Sequence, residues 1–210
     1  MIDLNHFIQE LSSDSPAPGG GSASAITGMV AASLSSMVAS LSIKKKGYEE
    51  RKGEFESIID ECMSLMEQFS ELAELDTQAF NGIMEARRLP KGTDQEKKIR
   101  DITIDKATKN AISTPWKVAS ACRKVLSISF RLIDIGIPGA ITDAGASMKI
   151  AAAALESSLY NVSINLKYIK DVNYVENERI KLKLFMEDVQ SLESLGEKKI
   201  RDSIGKEFMW

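Results

Sequence analysis

An aspartate, Asp76, stands where an apolar seam predicts a hydrophobic side chain. The seam is a set of apolar residues that recur in alternating steps of four and three along one predicted helix, with Phe55, Cys62, Phe69 and Ile83 spaced by whole heptads. Burying a carboxylate costs on the order of several kcal/mol unless it is paired. Asp76 is therefore a candidate general acid or base with a raised pKa, or a ligand for a cationic substrate. A buried ion pair or an interhelical hydrogen bond would account for it equally well.

A second candidate is the glycine-rich corner, defined as Pro18, Gly19, Gly20, Gly21 and Ser22. Prolines and glycines exclude regular structure before Ser22, and the glycines allow positive φ. Bare glycines also let backbone N–H groups approach a ligand, and the positive end of the following helix favours an anion such as a carboxylate or phosphate. The alternative is a tight turn between two helices with Ser22 as N-cap. No Gly-Lys-Ser/Thr follows, so the corner is not a P-loop.

Three polar side chains further along the chain are also candidates. Asp143, in the segment TDAG, is predicted at the start of a helix, where a carboxylate can act on a substrate or simply cap the helix. Asn161 and Asn165 are four residues apart and share one helical face. Their amides can hydrogen-bond an amide-like heterocycle or bond only to neighbouring helices.

Residues 22–43 carry no charge, and the lysines Lys44, Lys45 and Lys46 follow directly. This length alone would suggest a membrane span. Thirteen of the 22 residues are Gly, Ala or Ser, which gain little from lipid, so a buried central helix packed closely by its neighbours fits better. The lysines complement the negative end of this helix. They can attract a polyanionic tail, although a solvated helix end is the more common meaning of such a run.

The elements that must position these residues are all helical. No stretch alternates with the period of a strand, whereas apolar residues recur at helical spacing along most of the chain. A capping box at Thr93 and Glu96 and a proline at position 115 each predict a helix start. The predicted helices cover residues 4–11, 22–43, about 55–88, 93–112, 114–135, 142–169 and 173–208. This pattern predicts one all-α domain over residues 1–210, an up-and-down bundle of six or seven helices.

Composition excludes several classes of protein. With 43% hydrophobic and 27% charged residues the chain is not expected to be disordered. A net charge of −3 is not typical of a protein that binds nucleic acid over much of its surface. The single histidine, His6, makes zinc motifs and histidine triads implausible. Cys62 and Cys122 have no CxxC spacing, and the N-terminus shows no signal peptide, so we expect reduced thiols in a cytoplasmic protein without a bound metal.

Several motifs together resemble the cyclodeaminase/cyclohydrolase family, which includes the C-terminal half of formiminotransferase-cyclodeaminase and stand-alone prokaryotic relatives. The resemblance begins with SPAPGGGS, which includes the glycine-rich corner, and KKKGY, which starts at Lys44. It continues with DTQAF at Asp76, TDAG at 142–145 and NVSINL at Asn161. Each motif is weak alone, but the five occur in the family order and cover most of the chain.

The resemblance implies a self-associating helical fold with folate sites between paired subunits, and action on one-carbon-substituted tetrahydrofolate. The expected activity is formiminotetrahydrofolate cyclodeaminase, which forms methenyltetrahydrofolate and ammonia; the alternative is methenyltetrahydrofolate cyclohydrolase. Both need proton transfer and neither needs a metal, a nucleophilic serine or an organic cofactor. The resemblance does not include the formiminotransferase domain of the fused enzyme, so the natural substrate stays open between formiminotetrahydrofolate and methenyltetrahydrofolate. A non-catalytic folate-binding or scaffolding protein is the competing class.

Site residues follow from combining the resemblance with the residue chemistry. Asp76 and Asp143 are expected to handle protons or to stabilise a cation. Asn161 and Asn165 would hold the pterin. The glycine amides of the corner and the three lysines would hold carboxylates of the glutamyl tail of the folate, which can carry one or several glutamates. We expect a homodimer or a larger even-numbered assembly, with no nucleic-acid or membrane partner.

Overall fold

The structure is a computed structural model and describes residues 3–205. Those residues form six α-helices and no strand. Short 3₁₀ turns at Glu49–Arg51 and Pro138–Ala140 precede the third and fifth helices. The helices are α1 (Leu4–Leu11), α2 (Gly20–Ile43), α3 (Lys52–Arg88), α4 (Asp94–Ile135), α5 (Ile141–Leu166) and α6 (Val172–Ile204). The all-α prediction is confirmed.

Helices α2 to α6 form an up-and-down bundle in which α2 is central. Contacts of Gly28 show this, since a Cβ there would lie 2.6 Å from Phe69 of α3 and 2.9 Å from the Cys122 sulfur of α4. The beginning of α2 lies beside Asp76, late in α3, whereas the Ser42 hydroxyl at its end accepts from the backbone N–H of Ile137. Helix α2 is therefore antiparallel to α3 and parallel to α4.

Three buried hydroxyls join α2, α4 and α5 in the core. The oxygens of Ser35, Ser129 and Ser147 lie 2.8–3.0 Å from one another, and all three residues are fully buried. The Ser147 hydroxyl also donates to the carbonyl of Ala31 and that of Ser129 to the carbonyl of Val125. This cluster ties three helices whose contact faces consist mostly of small residues.

Small residues also bring α5 and α6 together. A Cβ at Gly145 would lie 2.7 Å from Cδ1 of Ile200, and one at Gly196 would lie 2.3 Å from the sulfur of Met148. The small-residue first half of α5 therefore serves close helix packing. The last predicted helix begins at Val172 and runs to Ile204, and its predicted end at residue 208 lies outside the described residues.

One predicted boundary is wrong. The capping box of Thr93 and Glu96 forms as expected, but the helix it opens does not stop near Ile112; it continues through Pro115 to Ile135. Proline costs an interior helical hydrogen bond, on the order of 3 kcal/mol. Burial on both sides of it offsets that cost, since Ile112 and Trp116 are both packed in the core. Tertiary packing overrides the local start signal.

Two smaller predictions about α2 also need correction. The helix begins at Gly20, two residues before the predicted start, and its N-cap is Gly19 and not Ser22. None of the corner glycines has a positive φ, a conformation found at Gly47 and Gly205. Helix α2 ends at Ile43 as predicted, and Gly47 lies in the turn that follows.

Helix α2 is half covered. Its core-facing side includes fully buried Ala31 and Val38, while Val30, Met37 and Leu41 on the opposite side are 50%, 40% and 45% exposed. By length and composition α2 is the one described helix apolar enough to cross a membrane, a test that a core helix of a water-soluble protein also passes. The predicted central position holds, but one apolar face of the helix has no partner within residues 3–205.

Candidate active site

The carboxylate of Asp76 contacts the first turn of α2. The backbone N–H of Ser22 donates to Asp76 Oδ2 at 2.9 Å, and the Ser22 hydroxyl lies 3.0 Å from the same oxygen. The Ser22 hydroxyl also lies 2.9 Å from the carbonyl of Ala73, one turn earlier on α3. Of the alternatives open for Asp76, the geometry matches the interhelical hydrogen bond, because none of the described Lys, Arg or His residues pairs with the carboxylate.

Gly21 provides the space for this contact. A Cβ on Gly21 would lie 2.1 Å from Asp76 Oδ1 and 2.6 Å from Oδ2. Any side chain at this position would therefore displace the carboxylate. The glycine at 21 is required by close approach between helices, and not by backbone conformation.

The second oxygen of Asp76 is available to a ligand. Oδ1 accepts no hydrogen bond from a described residue, yet no side-chain oxygen in that part of the chain is both buried and unpartnered. Oδ1 therefore reaches solvent at the glycine-rich corner while Oδ2 is held by Ser22. A carboxylate with one fixed and one open oxygen is suited to proton transfer.

The surroundings of Asp76 raise its pKa. Partial burial disfavours the charged carboxylate, and this effect outweighs the two hydrogen bonds from Ser22, which lower the pKa. The other carboxyl groups whose pKa departs from the ordinary value, Glu49, Glu96, Asp101 and Asp188, are all shifted downwards. A raised pKa on a group facing an open corner is typical of a catalytic acid or base.

Asn161 lies on the other side of the corner. A Cβ on Gly20 would lie 3.6 Å from its Nδ2 and 3.9 Å from its Oδ1. Asn161 Nδ2 donates to the carbonyl of Ser157, and Asn165 Nδ2 donates to the carbonyl of Asn161. Each amide thus keeps its carbonyl oxygen and one N–H for a ligand. The structure brings Asp76, the corner and Asn161 together, with Asn165 one turn farther along α5.

Asp143 and the lysines lie at the opposite end of the bundle. At about 1.5 Å of rise per residue, Asp143 is about 27 Å from Asn161 along α5, and Lys44 is about 36 Å from Gly20 along α2. Asp143 lies in the first turn of α5, where its negative charge interacts favourably with the positive end of the helix dipole. The N-cap is Ala140 and not Asp143. Asp76 and Asp143 therefore cannot meet within one chain, and their joint role stays a prediction that requires a second copy.

Thr77 also lies near the corner, although no motif or spacing in the sequence singled it out. Thr77 Oγ1 lies 3.4 Å from the Ser22 hydroxyl. Thr77 also lines a cavity of about 460 Å³ between α1, Pro18 and α3, which His6 borders as well. His6 lies at the surface, with its Nε2 3.5 Å from a carboxylate oxygen of Glu10. Only the adjacency of Thr77 to Asp76 could have pointed to it.

A groove larger than this cavity lies elsewhere, between α5 and α6. It has a volume of about 830 Å³ and an apolar floor that includes Leu159 and Met186, with Lys167 and Arg179 among the residues at its rim. It does not include Asp76 or Asn161. Because none of the sequence motifs places a candidate catalytic residue in this groove, the chemistry is better assigned to the corner.

The two cysteines and the metal-ligating residues suggest no alternative chemistry. Cys62 and Cys122 are free and buried. Burial raises the pKa of the Cys62 thiol to about 12 and raises that of Cys122 as well, so both thiols are unreactive. Within residues 3–205, no three His, Cys, Asp or Glu side chains are placed to hold a metal ion.

Comparisons with known proteins all point to the same family. The family model for formiminotransferase-cyclodeaminase matches residues 3–183. A methenyltetrahydrofolate cyclohydrolase from Methylorubrum extorquens is 36% identical over 178 residues, which cover 85% of each chain. A formimidoyltransferase-cyclodeaminase from Gallus gallus is 29% identical over 171 residues, 81% of this chain but only 32% of that longer protein.

The fold has a solved counterpart. The crystal structure of a formiminotetrahydrofolate cyclodeaminase from Thermotoga maritima superposes with a TM-score of 0.80 and 25% identity, covering 96% of this chain and 95% of that one. Sequence and structure thus agree over nearly the whole length. The chain therefore belongs to the formiminotransferase-cyclodeaminase family of folate enzymes.

Proposed function

We propose that this enzyme hydrolyses the methenyl bridge of methenyltetrahydrofolate, with Asp76 as the group that handles the proton. The observation that carries the proposal is the geometry of Asp76, whose Oδ2 is held by Ser22 while Oδ1 faces the open corner. Support for hydrolysis comes from the Methylorubrum cyclohydrolase, a relative of similar length that matches over 85% of both chains.

Hydrolysis needs one base and a way to stabilise a cation. The methenyl bridge carries a positive charge, so an ionised Asp76 beside it stabilises the bound substrate. The positive bridge in turn favours the ionised form of Asp76. As water attacks the bridge carbon, Oδ1 takes a proton from the water and a C–O bond forms. One C–N bond of the bridge then breaks, the freed nitrogen takes a proton, and the hydroxyl loses its proton to leave a formyl group. One proton is released overall.

Cyclodeamination is the second candidate, and the match to the Thermotoga cyclodeaminase over 95% of its length favours it. In that reaction N10 attacks the formimino carbon, a base takes the N10 proton and an acid protonates the departing amine. Asp76 could carry the same proton from one nitrogen to the other. We place this reaction second because the Thermotoga chain is 25% identical to this one, against 36% for the cyclohydrolase.

The remaining groups have proposed binding roles. Asn161 and Asn165 would hold the pterin through their free amide groups, and Pro18 and the glycine N–H groups would border the ligand. Carboxylates of the glutamyl tail would be held by Lys44, Lys45 and Lys46. Because these lysines lie far from the corner of their own chain, they can do so only at a site shared between two chains. The reaction needs neither metal nor organic cofactor, because proton transfer is sufficient.

We also propose that the chain forms a homodimer or a larger even-numbered assembly in the cytoplasm. The exposed face of α2, with Val30, Met37 and Leu41, starts next to the corner and carries no charge from Gly20 to Ile43. A second copy that covers this face would bury the apolar stripe and add a wall to the site. The free buried thiols fit a reducing compartment.

A side-by-side assay tests the proposed reaction. The protein is mixed with methenyltetrahydrofolate in one cuvette and formiminotetrahydrofolate in another, and the absorbance of the methenyl form is followed. Loss of absorbance in the first indicates hydrolysis, and gain in the second indicates cyclodeamination. A rise in melting temperature with neither change in absorbance would indicate a folate-binding protein without activity.

A further inference from the structure

We propose that Ser22 is the positioning residue for Asp76: it holds Oδ2, turns Oδ1 towards the substrate and favours the ionised carboxylate. This inference rests on the proposed role of Asp76. Ser22 itself is fully buried, so it cannot contact a folate, contrary to the substrate-binding role expected from the sequence. Its action has to pass through the side chain that it touches.

The two donors of Ser22 converge on a single oxygen. The backbone N–H donates to Oδ2 at 2.9 Å, and the hydroxyl oxygen lies 3.0 Å from the same atom. The N–H belongs to the first turn of α2, where backbone N–H groups lack helical partners and carry partial positive charge. Both contacts therefore favour the ionised carboxylate and fix its rotation.

The hydroxyl has one proton and a choice of acceptors. The carbonyl of Ala73 lies 2.9 Å from it, Asp76 Oδ2 lies 3.0 Å away and Thr77 Oγ1 lies 3.4 Å away. When Asp76 is ionised, Oδ2 is the stronger acceptor and the hydroxyl donates to it. When Oδ1 takes up a proton, Oδ2 becomes a weaker acceptor and the hydroxyl can donate to the carbonyl of Ala73 instead. Ser22 thus follows the charge on Asp76 without moving its backbone.

Within residues 3–205, no group other than Ser22 donates a hydrogen bond to Asp76. Helix α2 is uncharged from Gly20 to Ile43, and α5 presents the neutral amide of Asn161 at the corner. On α3 the adjacent acid is Glu74, which is exposed. The contributions that set the pKa of Asp76 are burial, which raises it, and the Ser22 side-chain and backbone hydrogen bonds, which lower it. Removing the hydroxyl should therefore raise the pKa of Asp76.

The test measures that pKa directly. Protein labelled with ¹³C at aspartate carboxyl carbons is titrated by NMR, with the Asp76 signal assigned from its loss in Asp76→Asn. We expect Ser22→Ala to raise the pKa of Asp76 by about one unit, the scale of a hydrogen bond to a charged group. Ser22→Thr, which keeps the hydroxyl, should leave it near the parent value. Ser42→Ala removes a buried serine at the other end of α2 and should not move it.

Turnover provides the second readout. The limb of the pH–rate profile that reports Asp76 should move to higher pH in Ser22→Ala, whether Asp76 acts as acid or base, and by the same amount as the NMR pKa. If Ser22→Ala does not fold, Ser22→Cys keeps most of the volume with a weaker donor, and an intermediate shift is expected. An unchanged pKa in the folded variant overturns the inference. If the parent turns over neither folate, the proposed function fails, while the NMR titration still decides the role of Ser22.

Discussion

At the scale of the residue, the chemistry depends on whether Asp76 transfers a proton. Asp76→Asn keeps the shape of the side chain and its acceptor oxygen while removing the titratable group. Turnover should fall about 10²-fold or more, the usual scale for the loss of a general acid or base. The measurement is kcat per folded molecule. Normal turnover in Asp76→Asn would move the chemistry elsewhere, with Asp143 as the next candidate.

The same variant should be more stable than the parent at neutral pH. Because burial raises the pKa of Asp76 above the ordinary value of 3.8, the folded state holds its proton to higher pH than the unfolded state does. Stability from this group is therefore complete below that ordinary value and is lost as pH rises through the raised pKa. Urea unfolding should give equal stability for parent and Asp76→Asn in acid and a more stable variant at pH 7. A variant less stable at pH 7 would show that Asp76 has a structural role.

Glycines inside helices should differ sharply in their tolerance of a methyl group. Gly21→Ala places a Cβ 2.1 Å from Asp76 Oδ1, so the carboxylate must move and turnover should fall at least tenfold. Gly82→Ala is the matched control, because Gly82 lies in α3 outside the corner and a Cβ there would meet nothing within 4 Å. Comparing kcat and melting temperature of the two variants checks this. Equal effects would show that the close approach of Asp76 to α2 has no part in the chemistry.

At the scale of the element, the buried serine cluster fixes how α2, α4 and α5 pack. Among the described residues, the Ser35 hydroxyl bonds to Ser129 and Ser147 and not to a carbonyl of its own helix. Ser35→Ala should cost about 1 kcal/mol of unfolding free energy. Replacing all three serines by alanine should cost less than the sum of the single changes, because no donor is then left without a partner.

Urea unfolding of the single and triple variants checks this coupling. Ser33→Ala serves as the control, since Ser33 lies on the exposed side of the same helix and its loss should change stability by less than about 0.5 kcal/mol. Additive losses across the three positions would mean that the hydroxyls act independently and do not set the register between helices.

At the scale of the whole molecule, the exposed face of α2 should join two copies of the chain. Met37 lies in the middle of that face and is 40% exposed. Met37→Lys should produce a monomer at micromolar concentration, because a lysine there would be desolvated on association. Leu184→Lys is the control, since Leu184 is 60% exposed on α6, away from α2. Sedimentation velocity distinguishes the two outcomes.

Activity should follow the assembly if the site is shared. The monomeric Met37→Lys protein should then lose turnover although its Asp76 and Ser22 are intact, whereas Leu184→Lys should retain both the assembly and its activity. A parent protein that sediments as a monomer at micromolar concentration would remove the shared site, and with it any joint role for Asp76 and Asp143.

The sequence by itself determined the fold class, the family and much of the helix map. Helical periodicity without any strand pattern predicted the bundle, because burying one face of each helix is a local property of residue spacing. The capping box at Thr93 and Glu96 and the end of α2 before Lys44 formed as predicted, because both depend on residues within about one turn of each other. Motif order from the corner to Asn165 was sufficient to indicate the family.

Only the tertiary structure decided which of the candidate residues share a site. The contact between Ser22 and Asp76 joins residues 54 positions apart, and no local rule states which turn of α3 faces the start of α2. The same packing carried α4 through Pro115, against the local signal, and separated Asp143 and the lysines from the corner by the length of a helix. Local preferences amount to about 1 kcal/mol per residue or less, whereas packing a helix face into the core sums many buried side chains. Register between helices is therefore decided by the whole core, and with it the site.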